Sequence, residues 1–123
     1  MTSPTPSSWT SGNAAADAAT TRGWLVGHFL PPGSPLHSDD VEIKWGHHQA
    51  GEQRSGWADG DDRSTLTVLV HGGPFRVQLA DADVLLSRPG DYVLWHPGTG
   101  HKWDALELST LLTVRWPSSS QIT

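Results

Sequence analysis

Between residues 65 and 79 the chain is written with a period of two. Leu66, Val68 and Val70 alternate with Thr65, Thr67 and Leu69, and Phe75, Val77 and Leu79 alternate with Arg76 and Gln78. Successive side chains of an extended strand point to opposite faces, so the pattern describes two strands, each with one buried face. The joint between them, His71-Gly72-Gly73-Pro74, reads as a hairpin turn. Further short runs at 24–30, 41–45, 84–86, 91–95 and 108–116 are fenced by Gly, Pro, Asp or Ser, and no helical period competes with them. About seven or eight short strands at regular spacing specify an all-β sandwich or small barrel, and closure of a barrel removes exposed sheet edges.

Composition changes at both ends of that pattern. Residues 1–22 are mostly Ser, Thr, Pro, Ala and Gly, which bury too little to offset the cost of ordering, so they read as a mobile arm. Within it, the segment from Asn13 to Ala19 has the length of one helical turn, with Asn13 or Ser11 as its cap. Residues 117–123 read as a flexible tail. The span 23–116 then carries one domain, and 123 residues suffice for a single core.

Several classes of function fall away on charge and hydropathy. A formal net charge of −5 offers no basic surface for phosphates, so nucleic acid is not expected as a partner. The longest apolar runs, such as Trp24-Leu25-Val26 and Val84-Leu85-Leu86, fall far short of the roughly twenty residues of a membrane span. The N-terminal stretch lacks the basic region and apolar block of a secretory signal, and the chain has no cysteine, so a cytoplasmic location is expected. Any metal would have to be held by nitrogen and oxygen ligands.

Two segments carry the chemistry. The second, SRPGDYVLWHPGTGHKWDAL from Ser87, sets a Pro-Gly-Asp turn, a short strand and another turn ahead of His101. It resembles the second signature of the cupin superfamily, G-x5-P-x-G-x2-H-x3-N, with Gly90, Gly98 and His101 in register. His96 stands where that signature has proline, and Ala105 where it has asparagine. The upstream segment KWGHHQAGEQRSGWADG resembles the first signature, G-x5-H-x-H-x3,4-E-x6-G, with His48 and Glu52 in place. Gly46 stands at the first histidine, and Gly60 comes one residue late. The resemblance implies a small double-stranded β-helix, or jelly-roll barrel, over most of residues 23–116.

Two registers fit the first segment. Either His48 or His47 precedes Glu52 at an allowed spacing. Simple alternation puts the apolar odd positions of Val41-Glu42-Ile43-Lys44-Trp45 inside the barrel, which would turn His47 inward. A bulge at Gly46 would reverse the alternation and turn His48 inward instead. His48 is favoured because its spacing to Glu52 fits and the glycine supplies a cause for the bulge.

The resemblance further implies a divalent transition metal held by His48, Glu52 and His101, with Fe, Zn, Mn, Ni and Co all compatible with such ligands. Three ligands leave coordination positions open to substrate. Lys44, Glu52 and His96 are the candidate catalytic groups. Seven tryptophans against two phenylalanines and one tyrosine are the outlier of the composition. Trp45, Trp57, Trp95 and Trp103 flank the two segments and suggest an aromatic-lined cavity, with Arg54 as a partner for a substrate carboxylate. His28, His37 and His71 have no partner in sequence and read as surface or loop residues.

Two classes of function remain. One is a metal-dependent enzyme, dioxygenase- or isomerase-like, acting on a small organic molecule inside the barrel. The other is a non-catalytic barrel that binds or senses a small ligand through its aromatic lining. In either case small cupins commonly pair as homodimers, and the same is expected here.

Overall fold

The computed structural model describes residues 8–119, so the outer parts of the expected arm and tail lie outside the described residues. A short helix α1 (Ala14–Asp17) is capped by Asn13, whose side chain accepts from the Ala16 N–H at 3.0 Å. A 3-10 turn (Ala19–Thr21) follows. Ala18, between the two, is buried. The remainder is β: β1 (Trp24–Val26), β2 (Glu42–His48), β3 (Ser64–Gly72), β4 (Phe75–Leu79), β5 (Asp83–Leu86), β6 (Tyr92–Trp95), β7 (His101–Ala105) and β8 (Ser109–Trp116). No helix among the described residues is long and apolar enough to cross a membrane.

The strands form two sheets with antiparallel pairing, β1-β2-β8-β3-β6 and β5-β4-β7. Their facing sides enclose a core of Leu69, Phe75, Val77, Leu86, Val93, Ala105 and Leu111. The expected hairpin at His71-Gly72-Gly73-Pro74 is a corner instead. β3 and β4 lie in different sheets and do not pair, because Gly72 and Gly73, with φ of 78° and 94°, turn the chain from one sheet to the other.

The alternation is real, but its sense at β2 is the reverse of the expected one. Glu42, Lys44, Gly46 and His48 face the interior, while the apolar odd positions look outward. The β2–β8 register runs unbroken from Glu42↔Arg115 to His48↔Ser109, so there is no bulge at Gly46. Irregularities occur instead where β1 meets β2 and in β3 between Leu69 and His71. His48 therefore points inward by plain parity. Trp45, on the odd face, lies along a groove with Ala15, Ala18 and Ala19 of the N-terminal helical turns. β3 follows the same rule, with Thr65, Thr67 and Leu69 buried while Leu66, Val68 and Val70 are half-buried or exposed on the outer face. The physical reason is that this end of the barrel holds a polar cavity, not an oily core.

One end of the barrel is tied by a buried polar cluster. Glu42, 2% exposed, accepts from Ser118 Oγ at 3.0 Å and forms an ion pair with Arg115. Ser118 Oγ in turn lies 2.9 Å from the His28 backbone nitrogen and 2.8 Å from His28 Nδ1. Arg63 donates to the Ser118 carbonyl through Nε and Nη2 and stands 3.7 Å from Glu42 Oε1. His28 is an exposed turn residue, as expected, and its bonds to Ser118 also tie it to this cluster. The first residues of the expected tail are held in the same way.

Candidate functional site

Rows of side chains set across the five-stranded sheet decide where the cavity lies. Glu42, Arg115, Thr65 and Trp95 make one row, and Trp24, Lys44, Thr113, Thr67 and Val93 the next. Below them come Gly46, Leu111 and Leu69, where the core begins. The opposite sheet supplies Val77 beside Trp103, then His101 beside Leu79. Polar rows facing an aromatic edge leave a cavity of about 180 Å³. Its volume suits a compact molecule.

The two signature-like segments meet along β7. Residues 51–58 run beside that strand, with Gly51 N–H donating to the Ala105 carbonyl, Arg54 N–H to Trp103, and Ala58 N–H to His101. The resulting bridges pair Gln53 with Asp104 and Ala58 with His101. His48, His101, Trp95, Trp103, Lys44 and Arg54 consequently line the same cavity. Alternation from His101 to Trp103 holds as the sequence implies.

Each imidazole has its own surroundings. His48 Nδ1 lies 2.9 Å from Glu52 Oε2, and its ring packs on Trp103 at 4.4 Å between centroids. With Glu52 ionised, Nδ1 donates this bond, and in the neutral ring Nε2 is then the accepting nitrogen. A Cβ at position 46 would sit 3.2 Å from that Nε2, so Gly46 is what gives the ring its space. His101 Nδ1 stands 3.2 Å from the Thr99 carbonyl, and its ring packs on Trp95 at 4.5 Å. His47, the alternative ligand, is exposed and bonds Thr110 Oγ1 at 3.0 Å.

These positions do not assemble the metal triad implied by the resemblance. Among the described residues no group of three His, Asp or Glu side chains is arranged to hold an ion. His48 and Glu52 are engaged with each other, His101 is not part of their cluster, and Gly46 brings no donor. The ligand set as it stands does not fit a metal.

Of the other expected site residues, His96 is exposed and lies off the cavity lining, as do Trp45 and Trp57. Trp45 is excluded by the parity of β2. Trp57 is 50% exposed and sits beneath Lys102 Nζ, 5.1 Å from its ring centroid. Arg115 and Trp24 line the cavity without having been singled out in the sequence. The signal for Arg115 was present: an arginine between Val114 and Trp116, the one charged residue of β8.

At the site one carboxyl group and one ammonium group are perturbed. Glu52 is held below the ordinary carboxylate value, first by the bond from His48 and then by the Gln49 backbone. Its folded value is depressed, so its stabilising contribution is complete above about pH 4.5 and disappears as pH falls through the lowered value. Lys44 is lowered from 10.5, chiefly by burial, then by the nearby charges of Arg115 and Arg22. Between the folded and unfolded values the unfolded chain binds more protons, so stability rises with pH across that alkaline window. A Lys44→Met variant should lack that rise and melt at a higher temperature than wild type at neutral pH. Thermal denaturation across an alkaline pH series measures both; equal slopes for the two proteins would contradict the assignment.

No protein-family model matches the chain, and no curated protein does. Solved structures do. KdgF from Halomonas sp. superposes with a TM-score of 0.60 at 23% identity, over 71% of this chain and 77% of that one. A cupin superfamily protein from Desulfitobacterium hafniense gives 0.57 at 20% identity, over 64% and 69%. A sugar phosphate isomerase of the cupin superfamily from Silicibacter pomeroyi gives 0.55 at 15% identity, over 63% of this chain and 50% of that one. At these identities the likeness establishes the fold. The described residues share the jelly-roll fold of these cupin structures.

Proposed function

We propose that this small cupin-fold chain takes a compact organic molecule into the barrel cavity and presents His48 to it as the proton-accepting group. The observation that carries the reading is the His48–Glu52 pair at the cavity wall. Glu52 accepts from Nδ1 at 2.9 Å, which leaves Nε2 free as a base over Gly46. Trp95 and Trp103 flank the cavity and suit a flat or ring-shaped body. A neighbour of the same fold is described as a sugar phosphate isomerase, and isomerisation is a reaction of the proton-transfer class.

The resemblance to metal-binding cupins supports a second reading, a metal-dependent enzyme. One observation favours it: His48 and His101 line the same cavity. It requires Glu52 to leave His48 Nδ1 and a third donor to come within reach.

Elemental analysis and ligand binding separate the two. Wild-type protein, His48→Ala and His101→Ala are expected to carry the same negligible transition metal, and chelator is expected to leave ligand-induced quenching of tryptophan fluorescence unchanged. About one metal per chain, lost in both variants, would overturn the first reading in favour of the second. Pairing of two copies through the uncharged outer face of the five-stranded sheet, where Tyr92 and Leu94 are exposed, belongs to either reading.

A further inference from the structure

The chain is acidic, yet its cavity is not. Lys44, Arg54, Lys102 and Arg115 line it, four of the eight basic residues in a chain of net charge −5. Asp61 is the only carboxylate on that lining among the described residues, and it is already engaged by Arg63 at 3.2 Å. Arg115 has a counter-charge in Glu42. Among the described residues no carboxylate lies within ion-pair distance of Lys44, Arg54 or Lys102.

Lys44 is the informative member of this group. It stands on the inward parity of β2, opposite Thr113, with its Nζ 5.5 Å from the centroid of Trp24. The Arg115 guanidinium occupies the same ring at 4.3 Å. Two cations are therefore gathered at one indole, half-buried and facing the interior, where water screens them poorly. Burial and like charge both disfavour the ammonium at this position. An arrangement that is unfavourable in the empty barrel and is relieved by negative charge is the usual mark of a binding site.

We propose that the cavity is built for a compact organic anion, a carboxylate or phosphate on a flat or ring-shaped body, with Lys44 as the charge partner inside the barrel and Arg54 supplying further positive charge along its lining. The Thr65, Thr67 and Thr113 hydroxyls lie beside Lys44 on the same face and offer neutral hydrogen bonds to the rest of the molecule. The proposal rests on the reading of the cavity as a small-molecule site, and it names the class of molecule.

Titration of wild type, Lys44→Met and Arg88→Met with benzoate, phenyl phosphate and benzyl alcohol tests it, read by calorimetry and tryptophan fluorescence. Arg88 is 87% exposed and stands 4.0 Å from Asp91, so its variant controls for net charge. Both anions are expected to bind wild type and Arg88→Met about tenfold or more tighter than the alcohol, and Lys44→Met is expected to remove that preference. Raising the ionic strength should weaken the anions and leave the alcohol unchanged, a readout that needs no variant. Benzyl alcohol binding wild type as tightly as the anions would overturn the proposal while leaving the cavity reading intact. Absence of binding by all three would count against the cavity reading itself.

Discussion

Replacing Glu42 by alanine is expected to destabilise the fold by about 3–5 kcal/mol, the cost of leaving buried cations without their counter-charge. The carboxylate is buried on the barrel's inner face and is shared by Arg115, Ser118 and, at longer range, Arg63 and His28. The Arg115 contact is an ion pair by distance without hydrogen-bond alignment, since neither Glu42 Oε1 nor Arg115 Nε has an aligned partner. Ser118 supplies the well-formed bond. A fall in melting temperature on the order of 10–20 °C should follow, measured by circular dichroism. Glu42→Gln should fall less, because the amide oxygen still accepts from Ser118 Oγ. Losing its anchor, Arg115 should also leave the Trp24 ring and change the emission spectrum. A Glu42→Ala protein within about 1 kcal/mol of wild type would show that the cluster is incidental.

The second large effect is expected at Gly72. Its φ of 78° disfavours any L side chain, and an added Cβ would lie 2.0 Å from the Leu108 carbonyl oxygen. Backbone strain and overpacking together place Gly72→Ala at about 2–5 kcal/mol. Gly51 separates the two contributions. Its φ is 90° with nothing within 4 Å of an added Cβ, so Gly51→Ala should lose only the conformational part, about 1–2 kcal/mol. Chemical denaturation of the two variants side by side gives the difference; equal losses would remove the clash from the account.

The positions of most strands were legible because alternation and turn residues are local properties. β7 was not singled out as a run, since His-Lys-Trp-Asp-Ala contains no β-branched residue. The sense of the alternation was misread in β2 for a different reason. Apolar side chains at Val41, Ile43 and Trp45 were assigned to the interior, whereas this part of the barrel encloses a polar cavity and its outer face carries the apolar residues. His48 faces the cavity by plain parity, and the bulge expected at Gly46 is absent.

The site was legible in part. His48, His101, Lys44, Arg54, Trp95 and Trp103 were named from two motifs, and all six line one cavity. The Glu42 cluster was invisible because its members come from four separate stretches of chain, and nothing in a single sequence says that Arg63, Arg115 and Ser118 share one carboxylate. The mutual engagement of His48 with Glu52 is likewise a matter of torsions, not spacing.

The segment that carries Glu52 and Arg54 is not a strand of either sheet; beyond Glu52, which is tied to His48, it hangs beside β7 mainly on backbone bonds. Backbone bonds are indifferent to side-chain identity. Side chains at residues 53–57 can therefore be exchanged with little penalty to the barrel, so selectivity in this architecture is adjustable by editing a fringe, while the walls that set the size of the chamber stay the same.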